Sequence, residues 1–174
     1  SMDCAKATAA RIAKPHQSLA QMKGILKIHK KLPLLIAIPT TAGTGSETTL
    51  AAVITDAETR HKYAINDFPL IPRYAVLDPK VTLSLPPFIT ATTGMDALTH
   101  AIEAYVSTLN GPFTDPLALQ AIEMVLECLP ASYNGNTHAR EEMHYAQCLA
   151  GMASSNALLG IVHSMAHKTG AAYK

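Results

Sequence analysis

Two pairs of metal-binding side chains stand four residues apart in helix-forming sequence. Asp96 precedes His100, and His163 precedes His167. Positions i and i+4 of a helix lie on the same face, so the two side chains of each pair can point at one spot. If the two helices face each other, one carboxylate and three imidazoles surround a common point. The spacing therefore predicts a site for a divalent transition metal, with all four side chains as equivalent ligands.

A second feature is a turn rich in threonine and glycine. Residues 39–47 read Pro-Thr-Thr-Ala-Gly-Thr-Gly-Ser-Glu and follow an apolar run at 34–38 that is typical of a buried strand. After a strand, hydroxyl donors and glycines that let the backbone approach a ligand indicate nucleotide binding, although similar segments are often plain turns. Next to metal-binding helices, the turn favours a cofactor in a cleft between two domains.

The elements that must position these residues change character near residue 86. The first part combines helical and strand signals, and the second part carries helical signals alone. The expected elements are helical stretches within 3–30 interrupted near Pro15, strands at 34–38 and 74–77, a hairpin of 49–55 with 61–65, and helices at 90–107, 116–128, 138–157 and 159–169. Asp115 is expected to cap the second of these helices. The pattern predicts an α/β unit over 1–86 and an all-helical unit over 87–174.

Composition limits the partners. The chain has 174 residues and a net charge of +1, which gives no reason to expect nucleic acid or an anionic membrane surface as a partner. No apolar run of about 18 residues and no signal-peptide pattern is present, so no membrane association is expected. Three cysteines without CxxC spacing favour reduced thiols and a cytoplasmic location. A small molecule is the expected partner.

Three separated motifs together resemble the iron-containing (group III) alcohol dehydrogenases, which include lactaldehyde reductase and propanediol dehydrogenase. They are the turn at 39–47, Ala-Thr-Thr-Gly-Met-Asp-Ala-Leu-Thr-His-Ala-Ile-Glu-Ala-Tyr at 91–105, and Gly-Ile-Val-His-Ser-Met-Ala-His at 160–167. The resemblance implies a dehydroquinate-synthase-like fold, in which a Rossmann-like nucleotide-binding domain precedes a helical metal-binding domain. It also implies an enzyme whose metal polarises an alcohol or aldehyde oxygen for hydride transfer to or from NAD(P).

The resemblance assigns roles to individual residues. It keeps Asp96, His100 and His163 as metal ligands, and it places the fourth ligand beyond residue 174. It puts His167 beside the nicotinamide, where the imidazole could relay the alcohol proton or orient the nicotinamide ring. The remaining residues that it implies in cofactor binding are Thr40, Thr41, Thr49, Lys62 and Val81. The ligand types suit Fe(II), and Zn(II) about as well. Either NAD or NADP fits.

Other readings of these residues stay open. Without the resemblance, Lys62 is a solvated strand-end charge, Val81 is a core residue, and His167 is a helix-end side chain. Glu103 follows Asp96 by seven residues, so it either supports His100 or lies on the helix surface. The histidines without a partner at metal spacing are expected at the surface: His16, His29, His61, His138 and His144. The methionines expected as core filler are Met143, Met152 and Met165.

The resemblance further implies that the chain is the central part of a longer enzyme. Asp3, Ala5 and Lys6 fit the end of the glycine-rich segment that carries the cofactor pyrophosphate in the family, and the last ligand would follow Lys174. It also makes a homodimer one expected state. Two alternatives remain: a catalytically silent metal-binding or assembly module, and a same-fold relative such as a zinc glycerol dehydrogenase or a dehydroquinate synthase.

Overall fold

The computed structural model describes residues 2–59 and 61–173, in which strands occur only before residue 76 and long helices dominate afterwards. The elements are α1 (Met2–Ala13), β1 (Gly24–Ile25), β2 (Ile36–Ala37), β3 (Ala51–Thr55), β4 (Lys62–Asn66), β5 (Tyr74–Ala75), α2 (Pro87–Tyr105), α3 (Asp115–Tyr133), α4 (Thr137–Ala157) and α5 (Ile161–Ala172). Single 3-10 turns lie at Ala20–Met22, Phe68–Leu70 and Pro79–Thr82. The predicted order of an α/β part and then an all-α part is confirmed. The division into two domains near residue 86 stays a prediction.

The described strands form two small sheets. β3 and β4 make the predicted antiparallel hairpin, and β1 pairs with β4 in parallel, so β3 lies at an edge. β2 pairs in parallel with β5. The prediction of a buried strand over 34–38 is wrong in its burial, because Ile36 is 56% exposed. The reason is that β5 is the only described strand that pairs with β2.

The second helical stretch expected before residue 30 is also wrong. Only the 3-10 turn forms there, and β1 follows it. Asp67 explains the change: its Oδ2 accepts hydrogen bonds from the backbone N–H groups of Ile28, at 2.7 Å, and His29, at 3.2 Å. Met22 and Ile28 are fully buried against the hairpin core. Long-range contacts therefore override the local helical pattern of this segment.

Helix α1 is fastened to the hairpin by two charged side chains. The Lys6 ammonium is buried and donates to the carbonyls of Thr49, at 2.7 Å, and Ala51, at 3.0 Å. The Asp3 carboxylate accepts from the backbone N–H of Val53 at 3.2 Å. Burial lowers the pKa of Lys6 to about 8, although the charges of nearby carboxylates oppose this shift. These bonds cover the outer edge of β3.

Helices α2, α3 and α4 pack together through alanines. Because alanine is small, the helix axes can approach closely where these residues meet. The alanines that are fully buried in this bundle are Ala97, Ala101, Ala104, Ala118, Ala121, Ala146, Ala150, Ala153 and Ala157. Arg140 of α4 joins the bundle to the preceding segment, since its guanidinium donates to the carbonyls of Thr82 and Leu85. This packing holds α2 in a defined position.

Three smaller expectations for the helices need correction. His144 is fully buried on α4, so its placement at the surface is wrong. Met143 is core, whereas Met152 and Met165 are 38% and 57% exposed because they lie on outward helix faces. Asp115 does not cap α3 but is its first residue, and its Oδ1 accepts from the backbone N–H of Gly111 at 3.2 Å.

Among the described helices, none is by itself long and apolar enough to cross a membrane. Thr137–Ala157 and Ile161–Gly170 reach the required length and composition only as a pair, and they meet at a bend of 103°.

Candidate metal centre and cofactor cleft

Asp96, His100 and His163 come together and form what we call the ligand cluster. Asp96 and His100 lie one turn apart on α2, and His163 lies in the first turn of α5. One potential ligand atom from each residue lies within 4.8 Å of the others. Nε2 of His163 is 3.5 Å from Oδ1 of Asp96, and Nδ1 of His100 is 3.9 Å from Oδ2. Residues more than 60 positions apart thus converge on one point.

Glu103 holds His163 from the other side. Its carboxylate is buried, and Oε2 lies 2.6 Å from Nδ1 of His163. It also accepts hydrogen bonds from the backbone N–H groups of Gly160, at 3.0 Å, and Val162, at 2.7 Å. Burial alone would raise the pKa of Glu103, but these hydrogen bonds outweigh it and hold the pKa below its usual range. The residue belongs to the site through His163, whereas the sequence suggested either support of His100 or a surface role.

The two imidazoles of the ligand cluster have opposite tendencies to bind a proton. Their ring centroids are 4.3 Å apart. Burial lowers the pKa of His100 below its ordinary value. Burial also disfavours the charged form of His163, but the carboxylates of Asp96 and Glu103 outweigh it and raise its pKa. Because two positive rings would repel each other at this distance, the cluster favours at most one protonated imidazole.

The ligand cluster fits a divalent metal ion. Nδ1 of His100 and Nε2 of His163 are buried and have no hydrogen-bond partner among the described residues. Both nitrogens lie beside the Asp96 carboxylate, whose side chain is 40% exposed. Unpartnered imidazole nitrogens next to a carboxylate are a donor set for Fe(II) or Zn(II). The carboxylate behind His163 is the usual partner of a metal-binding histidine.

His167 lies near the ligand cluster but outside it. Its ring centroid is 6.2 Å from that of His163, and the side chain is exposed. Burial of part of the ring, followed by the nearby charges of His163 and Lys62, lowers its pKa. The four equivalent ligands that spacing alone predicts are therefore not brought together in the described chain. The arrangement agrees with the separate role that the resemblance implies for His167, which stays a prediction.

A cleft of about 370 Å³ opens beside the ligand cluster. Its lining comes from the hairpin, the turn and helices α1, α2 and α5. It includes three of the predicted cofactor residues together with the whole ligand cluster: Thr49, Lys62, His167, Asp96, His100 and His163. Thr40 and Thr41 line a neighbouring groove of about 570 Å³ that shares Asp3, Thr44 and Ser46 with the cleft. Val81 lies exposed in a 3-10 turn and lines neither space.

The glycines of the turn serve packing against helices. A Cβ on Gly43 would lie 2.3 Å from the carbonyl oxygen of Thr93 in α2, and one on Gly45 would lie 2.7 Å from Cα of Gly151 in α4. Gly45 also has a φ of +58°, which favours glycine. The sequence predicts that these glycines let the backbone come close to a partner, and the described partners are α2 and α4.

Gln147 of α4 clamps the same turn. Its Oε1 accepts from the backbone N–H of Gly45 at 2.8 Å, and its Nε2 donates to Oε1 of Glu47 at 2.5 Å. Both side chains are buried, and burial raises the pKa of Glu47. Between Gly45 and Glu47, the Ser46 hydroxyl donates to Asp3 of α1 at 3.0 Å. Sequence reasoning did not single out Gln147, because its partners lie about 100 positions away and no local spacing marks it.

Comparison with known proteins decides the family. A family model described as "Iron-containing alcohol dehydrogenase" matches residues 1–79, and one described as "Fe-containing alcohol dehydrogenase family, C-terminal" matches residues 90–174. The chain belongs to the iron-containing alcohol dehydrogenase family. The ligand cluster and the threonine-rich turn lie inside the matched ranges.

Several proteins with curated names or solved structures are similar to the chain. The NADPH-dependent butanol dehydrogenase of Clostridium saccharobutylicum is 64% identical over 138 residues, which are 79% of this chain and 36% of that protein. A crystal structure of 1,3-propanediol oxidoreductase superposes with a TM-score of 0.94 at 43% identity, covering 99% of this chain and 45% of that one.

A third similar protein is the sulfoacetaldehyde reductase from Bifidobacterium kashiwanohense, solved in complex with NAD+. It has a TM-score of 0.86 at 36% identity, covering 97% of this chain and 45% of that chain. These similarities confirm the iron-containing alcohol dehydrogenase fold. The chain spans less than half the length of each of the three relatives.

Proposed function

We propose that this chain supplies metal-binding helices and part of the cofactor cleft of a metal-dependent, NAD(P)-linked alcohol dehydrogenase or aldehyde reductase. The observation that carries the proposal is that the ligand cluster lies in the same cleft as Lys62 and His167. A site for a Lewis-acidic ion therefore adjoins a cationic side chain suited to a dinucleotide. Family membership and relatives named as dehydrogenases and reductases support the same reaction class.

The ligand cluster would hold the metal ion, which we propose is Fe(II), with Zn(II) as the alternative. A bound ion of this kind polarises a substrate oxygen and lowers the pKa of a bound alcohol toward neutral pH. The chain provides one negative charge, from Asp96, and two neutral imidazole nitrogens. Asp96 is the most exposed member of the cluster, so the cleft side is where substrate can approach. Glu103 and the buried surroundings keep the other side closed to water.

Lys62, Thr49 and the two turn residues Thr40 and Thr41 would bind the dinucleotide. The Lys62 ammonium can donate to a ribose or phosphate oxygen. The Thr49 hydroxyl is already engaged, since it accepts from Lys6 at 3.1 Å and donates to the Ser46 carbonyl at 3.4 Å. These two hydrogen bonds hold Thr49 in position beside the cleft. One relative is named as NADPH-dependent and another was solved with NAD+, so either dinucleotide is proposed. Thr40, Thr41 and Val81 stay predicted contacts.

His167 is proposed as the residue that relays the alcohol proton. Its lowered pKa keeps the ring neutral at physiological pH, and a neutral imidazole can accept a proton at one nitrogen and release another. Its exposure allows exchange of that proton with water. The substrate class is a small alcohol or the matching aldehyde. A cytoplasmic location is supported by three free thiols, and a homodimer is proposed from family resemblance.

The proposal is tested with the full-length protein. The protein is stripped of metal and reloaded under anaerobic conditions with Fe(II) or Zn(II). It is then assayed for reduction of butanal with NADH and NADPH, and for oxidation of a propanediol with NAD+ and NADP+. We expect metal-dependent turnover with at least one cofactor. A protein that binds one metal ion per chain and remains inactive with every substrate would indicate the silent metal-binding module instead. Size-exclusion chromatography with light scattering tests the dimer.

A further inference from the structure

Glu103 connects the start of α5 to the ligand cluster. Its buried carboxylate accepts hydrogen bonds from the backbone N–H groups of Gly160 and Val162, and it lies 2.6 Å from Nδ1 of His163. The first N–H groups of a helix have no partner within the helix, so a carboxylate at this end satisfies them and also faces the favourable end of the helix dipole. The side chain that places the helix therefore also contacts the metal-binding ring.

This contact decides which nitrogen of His163 faces the ligand cluster. A carboxylate that accepts from two backbone donors acts as an acceptor toward the ring as well, so Nδ1 carries the hydrogen. Nε2 then faces Asp96 at 3.5 Å, where it is buried and has no hydrogen-bond partner in the described chain. If the hydrogen moved to Nε2, this nitrogen could not donate its electron pair to a metal ion.

Gly160 leaves the space that the Glu103 carboxylate occupies. A Cβ on Gly160 would lie 3.0 Å from Oε1 of Glu103 and 3.3 Å from its Cδ. The φ of Gly160 is −107°, outside the left-handed region that favours glycine. The close approach to the carboxylate is therefore the structural reason for glycine at this position.

We propose that Glu103 is a positioning residue that sets metal affinity by fixing the tautomer and orientation of His163, with Gly160 providing the room. The inference deepens the proposed function and rests on its metal site. It predicts that the Glu103 carboxylate raises metal affinity through His163, separately from any contribution to the stability of the fold. It also predicts that Gly160 acts through Glu103, so the effects of changing both residues should not add.

The experiment measures Zn(II) affinity of the full-length protein by competition with a chromophoric chelator. Glu103→Gln keeps the size of the side chain. Its amide NH₂ group cannot accept a hydrogen bond, so at least one of the three donors (the N–H groups of Gly160, Val162 and His163) loses its acceptor. We expect affinity to fall about 10- to 100-fold. Glu103→Asp keeps the carboxylate and should recover part of the loss. Gly160→Ala should lower affinity alone but add little to Glu103→Gln, which a double-mutant cycle reveals.

The control is Asn136→Ala, which removes the cap of α4, where Oδ1 of Asn136 accepts from the N–H of Ala139 at 2.9 Å. It should lower the urea concentration at the midpoint of unfolding without changing Zn(II) affinity. If Glu103→Gln binds Zn(II) within twofold of the wild type, the inference is wrong while the proposed function stands. If Glu103→Gln fails to fold, an unchanged affinity in Gly160→Ala contradicts the inference in the same way. A wild-type protein without Zn(II) or Fe(II) binding would overturn both.

Discussion

The backbone of Gly45 in the turn lies directly against the backbone of Gly151 in α4. A Cβ on Gly151 would approach Cα of Gly45 to 2.8 Å and the Thr48 hydroxyl to 2.5 Å. The two glycines are thus a matched pair, and together with Gln147 they fix the turn on the helical bundle. The turn forms one wall of the cleft. Its position is therefore set by α4, a helix that carries none of the proposed ligands.

Replacing Gly151 by alanine should therefore destabilise the protein, although alanine is the better helix former by about 1 kcal/mol. The new methyl group meets backbone atoms that cannot move aside easily, so we expect the free energy of unfolding to fall by about 1–3 kcal/mol. Urea denaturation measures this. Gly111→Ala is the control, because a Cβ there meets nothing within 4 Å. A Gly151→Ala protein more stable than wild type would show that the close approach is absent.

Loss of one ligand should abolish tight metal binding. We expect Asp96→Asn and His163→Ala to bind substoichiometric metal and to lose turnover by several powers of ten, because the ion can no longer be held where substrate oxygen is polarised. Metal content by mass spectrometry and initial rates give the two readouts. His138→Ala, an exposed change on α4, should leave both unchanged. Stoichiometric metal and a near-normal rate in His163→Ala would remove that residue from the ligand set.

Replacing Lys62 by glutamine should weaken dinucleotide binding. A charge-assisted hydrogen bond contributes about 1.5–3 kcal/mol, so we expect the Kd for the preferred cofactor to rise about 10-fold or more, and the wild-type Kd to depend more strongly on salt than that of the variant. Fluorescence titration with NADH or NADPH measures this. Lys80→Gln, at an exposed position outside the cleft, is the matched control. Equal Kd values for the Lys62 variant and the wild type would assign Lys62 to the solvated surface.

Lys6 should make stability depend on pH in the alkaline range. Its pKa is about 8 in the folded protein and 10.5 for an unperturbed lysine, so the unfolded state binds more protons between these values. The free energy of unfolding should therefore rise from pH 8 to pH 10.5, by about 1–3 kcal/mol from this residue, with the penalty fully present below pH 8. In Lys6→Met that part of the rise disappears. Parallel pH profiles for the two proteins would show that Lys6 keeps its ordinary pKa when folded.

Local signals in the sequence were sufficient for the hairpin and the four long helices. The alternating residues of β3 and β4 and the helical runs of α2 to α5 depend on neighbours close in sequence. The pairs Asp96 with His100 and His163 with His167 were visible for the same reason. Spacing could not show that His167 lies outside the ligand cluster, because this depends on where the fold places α5 relative to α2.

The remaining features depend on contacts between distant segments. Glu103 contacts residues 57 to 60 positions away, and Asp67 reaches 38 and 39 positions back to shape the segment that was expected to be helical. His144 carries two ring nitrogens without partners in the described chain, and nothing in its neighbours in sequence indicates that it is fully buried. A single sequence holds no record of such pairings, so these assignments required the fold.

The covering of β3 by Lys6 and Asp3 has a consequence for self-association. An uncovered edge strand offers free N–H and C=O groups to any other extended chain, which makes it a template for aggregation. Here the Ala51 carbonyl and the Val53 N–H, which point away from β4, are taken by side chains of α1. Charged side chains of α1 thus block the free edge of β3. Unfolding of α1 alone would expose this edge, and β3 could then pair with an extended strand of a second copy.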